Sequence, residues 1–183
     1  MQKYVILTII IFFMALTAGC TINHEFGPFM GKVVDAETGE PIEGAVVLIG
    51  FFIETGTLGG TVSTFADAVE TLTNIKGEFQ IPQKRVNLFR WMASWDEDCY
   101  ISIFKLGYGA YPGYPKTFSS PDSKRSLYIP ENEYITYHLP KLFTLKERKD
   151  NLFSIMEPAG IPNEKMPNMQ RLKNEEYINV GID

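Results

Sequence analysis

Residues 31–47 read GKVVDAETGEPIEGAVV, a stretch that predicts two β-strands joined by a turn. Its β-branched valines favour a first strand over residues 30–35. Gly39 and Pro41 mark the turn, because glycine adopts positive φ at little cost and proline lacks the N–H that a β-ladder requires. The next run, residues 45–53 (AVVLIGFFI), is almost wholly apolar. We therefore expect a second strand that is covered on both faces.

Further strands are predicted where apolar and polar residues alternate or where short apolar runs occur. These segments are residues 69–73, 78–82, 100–105 and 134–139. Residues 74–77 (NIKG) have the composition of a turn, so the first two segments are expected to pair as a hairpin with Phe79 and Ile81 facing inward.

The segments between these strands are rich in turn residues or mixed in character. Residues 54–68 and 107–115 contain many glycines with threonine or proline and predict long loops, and the polar residues 116–132 predict a third. Residues 88–92 (LFRWM) predict a short helical turn within a mixed segment.

Over residues 141–183 the spacing of apolar residues changes from that of strands to that of helices. Thr144 and Glu147 have the spacing of a capping box, which predicts a helix to about residue 156. Pro167 suits the first turn of a second helix, and Gly181 suits its end. The residues expected to face inward are Leu145, Leu152 and Met156 in the first helix and Met169, Leu172 and Val180 in the second.

Residues 31–47 and residues 73–81 (TNIKGEFQI) together resemble the two sequence elements of the carboxypeptidase regulatory-like domain, with Asn74 where that family usually has aspartate. The resemblance covers residues 29–140. It implies a mainly β fold, an antiparallel transthyretin-like (prealbumin-like) β-sandwich related to immunoglobulin folds. The one or two predicted C-terminal α-helices are additions to that domain. Such domains typically serve as structural or interaction modules rather than as catalysts, so no enzymatic activity is implied.

The N-terminal segment resembles the lipobox signal of bacterial lipoproteins. Lys3 precedes an apolar stretch, and the small residues Ala18 and Gly19 precede Cys20, with Thr17 where leucine is commonest. The resemblance implies a signal peptide over residues 1–19 and acylation of the Cys20 thiol. It also implies a short tether over 20–28 and a place in the cell envelope, facing the periplasm or the exterior.

Two alternatives compete with the lipoprotein interpretation. An ordinary membrane anchor is disfavoured, because ~15 apolar residues fall short of the ~20 that cross a bilayer as a helix. A plain secretory signal with an incidental cysteine is the other alternative. The lipoprotein interpretation makes the membrane a partner through the lipid anchor.

Charge and cysteine content restrict the function further. The net charge is -5 and becomes -6 without residues 1–19, since Lys3 is the only charged residue there. An acidic chain without a basic stripe argues against a nucleic-acid partner. Cys99 has no cysteine partner if Cys20 is lipidated, so we expect a small buried side chain at the start of a strand. A reactive thiol is the alternative, which the acidic residues 96–98 disfavour by raising its pKa.

The sequence offers little catalytic chemistry. His24 and His138 are its two histidines, too few for the His-Glu-x-x-His zinc site of a peptidase, and no nucleophile elbow or phosphate-binding loop occurs. His138 is expected to be a satisfied strand residue. The acids at 96–98 are expected in a solvated loop rather than around a calcium ion. We therefore predict no enzyme activity, no metal and no cofactor, although carboxylates that meet only in the fold leave a hydrolase open.

Tyr108, Tyr111 and Tyr114 recur every third residue in the 107–115 loop. Exposed rings at this spacing would stack on a sugar or a peptide, whereas buried rings would only close the end of the sandwich. The sequence thus predicts a non-catalytic envelope lipoprotein that interacts with another envelope protein or a glycan. The alternatives are a carbohydrate- or peptide-binding module using this loop, and a hydrolase.

Overall fold

Eleven strands and two α-helices form in residues 21–89 and 93–182, the residues that the computed structural model describes. The strands are β1 (Thr21–Phe26), β2 (Phe29–Asp35), β3 (Val46–Thr57), β4 (Gly60–Leu72), β5 (Glu78–Ile81), β6 (Lys84–Phe89), β7 (Ala93–Trp95), β8 (Cys99–Phe104), β9 (Phe118–Ser120), β10 (Tyr128–Ile129) and β11 (Tyr134–Leu139). The helices are α1 (Leu145–Ser154) and α2 (Pro167–Asn179), with a 3-10 turn at Asn163–Lys165 between them.

The strands pair into two larger sheets and a separate ribbon. One sheet has the order β10–β8–β3–β4, with β7 also paired to β3, and the other has the order β5–β2–β11–β9. Strands β1 and β6 form the ribbon. Neighbours are antiparallel except β2 and β11, which are parallel. This mainly β sandwich with two C-terminal helices confirms the predicted fold class.

Strand β3 is the centre of the molecule because it is apolar on both faces. Val47, Ile49 and Phe51 belong to the core between the two sheets, whereas Val46 and Leu48 belong to a second core under the helices. Residues 46–53 are all buried, as the apolar run predicted. The result is three layers: the β2-containing sheet, the β3-containing sheet and the helices.

The helical layer covers the outer face of the β3-containing sheet. Met169, Leu172 and Val180 are buried against it, which confirms the inner face predicted for α2. Leu152 of α1 is also buried, but Leu145 and Met156 are 54% and 51% exposed. That part of the prediction is wrong because α1 ends at Ser154, before Met156, and its buried residues are Asn151 and Leu152 in its second half, away from Leu145.

The Thr144 capping box of α1 is present as predicted. The Thr144 hydroxyl accepts the Glu147 backbone N–H, and the Glu147 carboxylate accepts the Thr144 backbone N–H at 2.9 Å. Pro167 is the first residue of α2, also as predicted. The Glu70 carboxylate of β4 caps this helix by accepting the backbone N–H groups of Asn168 and Met169.

Residues 54–68 form a strand hairpin rather than the predicted long loop. Strand β3 continues to Thr57, β4 begins at Gly60, and twelve residue pairs join the two strands. The outer half of this hairpin is exposed, so its threonine- and glycine-rich residues do not show the alternation of a half-buried strand. Backbone hydrogen bonds between the two arms hold it instead.

Residues predicted as a tether over 20–28 include strand β1, which pairs with β6 along its whole length. Phe26 is 1% exposed, and its ring stacks on Phe51 with the centroids 4.5 Å apart. The chain is therefore anchored in the core earlier than predicted. Cys20 and the predicted signal over residues 1–19 lie outside the described residues.

Two other local predictions are wrong. Leu88 and Phe89 belong to β6 rather than to a helical turn, while residues 90–92 lie outside the described part of the chain. Strand β5 pairs with β2 of the opposite sheet rather than with β4, so residues 74–77 connect two sheets instead of closing a hairpin. Phe79 and Ile81 nevertheless face inward as predicted, at 4% and 3% exposure.

Gly31 lies where β2 passes closest to its neighbours. A Cβ atom at this position would overlap the carbonyl oxygen of Ile135 on β11 and lie 2.9 Å from the Phe79 ring. Glycine thus allows the parallel pair β2–β11 to form beside a buried aromatic ring. The predicted loop at 116–132 contributes the short strands β9 and β10 to the sandwich edges.

Among the described residues, none of the helices combines the length and the apolar character needed to cross a membrane.

Candidate functional site

The 107–115 loop does not present its three tyrosines on one surface. Tyr111 is fully buried, and its hydroxyl accepts the backbone N–H of Ser126 at 2.9 Å. Its ring packs edge-on against Tyr137, with centroids 4.9 Å apart. Tyr108 and Tyr114 are only partly buried, and burial raises the pKa of both phenols. The structure therefore separates one core tyrosine from two at the surface.

Asn151 of α1 fixes this loop to the helix. The side chain is fully buried; its Oδ1 accepts the Ala110 backbone N–H at 2.7 Å, and its Nδ2 donates to the Tyr108 carbonyl at 3.0 Å. One amide thus satisfies two backbone groups that would otherwise be buried without partners. Sequence reasoning missed Asn151, because nothing local in a polar helix marks a residue that pairs with a loop 41 positions earlier.

A groove opens beside the loop, with a volume of about 500 Å³. Its lining residues are Pro112, Gly113, Lys124, Arg125, Leu127 and Met156. Leu127 and Met156 are 42% and 51% exposed, which gives the groove an apolar side. Gly113 allows the wall to form, since a Cβ there would overlap the Ser154 carbonyl at the end of α1.

The groove also has two cationic lining residues, Lys124 and Arg125. Among the described residues, no carboxylate lies within ion-pair distance of Lys124 or Arg125. The segment that carries them is held in place: Ser119 donates its backbone N–H to the Lys124 carbonyl at 2.8 Å, and Ser126 bonds to the Tyr111 hydroxyl. On a chain of net charge -5, this is a local, fixed positive edge.

Sequence reasoning missed the groove residues because it treated 116–132 as a polar loop. The basic pair in Ser123-Lys124-Arg125 was the one local signal, and it does not show that Met156 lines the same groove.

His138 forms a second polar cluster on the face of the β2-containing sheet that points away from the core. Its Nε2 lies 2.9 Å from the Ser120 hydroxyl, and its ring stacks on Phe118 at a centroid distance of 4.2 Å. Burial lowers the pKa of His138, so the neutral ring can accept the Ser120 proton. A serine protease triad contains such a Ser–His pair and, in addition, a carboxylate that orients the histidine. In the described residues no carboxylate hydrogen bond to His138 is found.

The Ser120–His138 contact links β9 to β11, and His138 thus occupies the strand position predicted for it. His24, the other histidine, packs against Phe26 in β1 with the rings tilted and their centroids 4.4 Å apart.

Cys99 is a buried strand residue, as predicted. It begins β8 and is 2% exposed. Burial raises its pKa to about 12, with the nearby Glu131 and Asp96 acting in the same direction. The thiol is therefore protonated at neutral pH and a poor nucleophile.

The acidic residues 96–98 form a loop turn in which the Asp96 carboxylate accepts the Asp98 backbone N–H. Within 21–89 and 93–182, no three His, Cys, Asp or Glu side chains are grouped as metal ligands.

Comparison with models of protein families, with curated proteins and with solved structures finds no match for this chain. The resemblances to bacterial lipoproteins and to the carboxypeptidase regulatory-like domain therefore stay predictions. The features that bear on function are the groove geometry and the N-terminal sequence.

Proposed function

We propose that this protein is a lipid-anchored protein of the bacterial cell envelope whose β-sandwich is a non-catalytic interaction module. The observation that carries the proposal is the position of β1. It begins at Thr21, directly after the cysteine of the lipobox-like segment, and by Phe26 the chain is in the core. Two or three acyl chains on Cys20 would hold such a domain stably at a membrane surface, since one chain alone binds only marginally.

The anchor is tested with the full chain and two cysteine variants. Cells are grown with radiolabelled palmitate, and the label and the protein are followed through membrane fractionation. The wild type is expected to be labelled and membrane-bound, and Cys20→Ala is expected to lose both properties. Cys99→Ala is the matched control and should keep both. A labelled, membrane-bound Cys20→Ala protein would contradict the anchoring proposal.

As a second candidate function, we propose that the groove beside the 107–115 loop binds an acidic, partly apolar peptide segment of an envelope partner. Charge complementarity supports this occupant, because Lys124 and Arg125 line the groove together with the apolar Leu127 and Met156. The loop contributes its backbone at Pro112–Gly113 rather than three stacked rings. Sugar stacking across Tyr108, Tyr111 and Tyr114 is disfavoured, since Tyr111 is buried.

A fluorescent peptide of alternating glutamate and leucine is the probe for the groove. The full chain in detergent should bind it with an affinity that falls as salt rises. The double variant Lys124→Glu, Arg125→Glu should weaken binding by about tenfold or more, because like charges then face each other. Lys76→Glu, an exposed charge reversal in the 74–77 turn, is the control and should not change the affinity. Equal binding by the double variant would exclude the groove.

A further inference from the structure

The outer end of the β3–β4 hairpin carries exposed apolar side chains and no charge. Leu58 lies in the turn and is 112% exposed, and Val62 on β4 is 52% exposed. Residues 55–66 (TGTLGGTVSTFA) contain no charged side chain, although 21% of the whole chain is charged. A projecting surface of this composition is unusual in water, where projecting hairpins normally carry charges.

The β1–β6 ribbon projects from the sandwich in the same direction as the hairpin. Phe26 of β1 stacks on Phe51 of β3. Trp95 pairs with Ile53, two residues further out along β3. Its ring contacts Phe26 and His24 of β1, at centroid distances of 5.3 Å and 6.1 Å. At the outer end of β6, Phe89 is four residues from Ala93, which pairs with Thr55 of β3. The outer ends of the ribbon and the hairpin therefore lie at the same end of the molecule.

The outer end of the ribbon is the pair Thr21–Phe89. Phe89 is 74% exposed, so it adds a third apolar side chain to this end. Cys20, which precedes Thr21 in the sequence, is joined to the same end. We name Leu58, Val62 and Phe89 the apolar tip.

We propose that the apolar tip inserts into the interfacial layer of the bilayer that holds the Cys20 lipid. This inference rests on the proposed acylation of Cys20, which would bring the tip to the membrane surface. Uncharged threonine and serine around the tip can enter the headgroup region at far lower cost than charged side chains. The lipid supplies affinity, and the tip fixes orientation. The 107–115 loop then faces away from the bilayer, because Tyr111 bridges to Ile103, which pairs with Val47 near the inner end of β3.

The proposal is tested by placing an environment-sensitive fluorophore at the tip. Leu58→Cys and Phe89→Cys are labelled with a maleimide dye in the full lipidated chain. Cys99 is buried, and burial raises its pKa to about 12, so it does not compete for the dye. Ile75→Cys is the matched control: Ile75 is 75% exposed, but it lies beyond the inner end of β4. At about 3.3 Å per residue, the length of β4 separates Ile75 from the hairpin turn by roughly 40 Å.

The labelled proteins are bound to vesicles of phosphatidylethanolamine and phosphatidylglycerol, with and without nitroxide-labelled lipid. At 58 and 89 the emission should shift to the blue and be quenched about twofold or more, as expected for side chains roughly 5–10 Å into the interface. At 75 neither change should occur. Circular dichroism of each variant checks that it is folded. Leu58 is fully exposed in the hairpin turn, so its replacement by cysteine is expected to leave the fold intact.

The outcomes separate this inference from the proposed function. Protein that floats with the vesicles but shows no quenching at 58 or 89 overturns the inference and leaves the anchor standing. Equal quenching at 75 overturns the orientation, because the domain would then lie flat. A blue shift at 58 or 89 without quenching by the nitroxide-labelled lipid also overturns the inference, because the dye would then be shielded by protein rather than by the bilayer. Failure of the wild type to float overturns the anchor and the inference together.

Discussion

Replacing Asn151 with leucine tests how the 107–115 loop is held against helix α1. Leucine has a similar volume but cannot hydrogen-bond, so the Ala110 N–H and the Tyr108 carbonyl lose their partners in a region where Asn151 itself is fully buried. Each orphaned group costs about 1–3 kcal/mol, and burying an apolar side chain offsets a part of that. The free energy of unfolding should therefore fall by about 3 kcal/mol.

Urea unfolding followed by circular dichroism measures this loss, with a fall in the midpoint and an unchanged slope. Asn174→Leu is the matched control, because Asn174 is exposed on α2 and its replacement should change stability by less than about 0.5 kcal/mol. Amide exchange supplies a local readout: the Ala110 N–H should lose protection in Asn151→Leu. A loss below about 1 kcal/mol with Ala110 still protected would refute the assignment of Asn151 as the residue that fixes the loop.

Three further outcomes are expected from other parts of the molecule. Cys99 should react with a thiol reagent at pH 8 only after denaturation, because burial raises its pKa to about 12; rapid modification of the folded chain would contradict its burial. Asp67→Asn should cost about 1 kcal/mol at pH 7. Burial raises the pKa of Asp67, but the hydrogen bonds from Lys165 and Lys84 together lower it by more, so this pKa lies below its usual value. The difference from wild type in a pH series of unfolding midpoints should therefore vanish as pH falls through that lowered value, and a constant difference would refute the ion pair. Gly31→Ala should destabilise by about 2 kcal/mol through overlap with the Ile135 carbonyl, whereas Gly56→Ala, with open space around it, should be nearly neutral in the same urea assay; similar losses would remove the steric explanation.

The central strand could be predicted from sequence because its signal is local. The run at residues 45–53 is apolar without alternation, and both of its faces are covered. The Thr144 capping box and the inner residues of α2 are likewise predicted from residue spacing alone, and the structure contains both. In these cases residues that are close together in the sequence are enough to predict the local structure.

The outer half of the β3–β4 hairpin could not be predicted in the same way. Its residues 54–63 project beyond the core, so no buried face imposes a period on them. The partner of β5 was missed for a different reason. A turn at 74–77 fits both a hairpin and a crossing between sheets, and the choice depends on Gly31 allowing close approach in β2.

The candidate groove depends on contacts between distant parts of the chain. Gly113 packs on the Ser154 carbonyl, and the Tyr111 hydroxyl bonds to Ser126. Neither partner is indicated by the sequence near the other. The three tyrosines looked equivalent in sequence, and only the sandwich distinguishes the buried Tyr111 from Tyr108 and Tyr114.

The β1–β6 ribbon has a mechanical consequence for a chain held by a lipid at Cys20. Tension on the anchor acts along β1, because Thr21 is the outermost residue of that strand and Phe26 is fixed in the core. The hydrogen bonds of an antiparallel pair run perpendicular to the strands, so this tension loads them in shear. All six residue pairs share the load at once instead of opening one after another. A pull on such an anchor would thus reach the sandwich through the whole β1–β6 ribbon rather than through a single hydrogen bond.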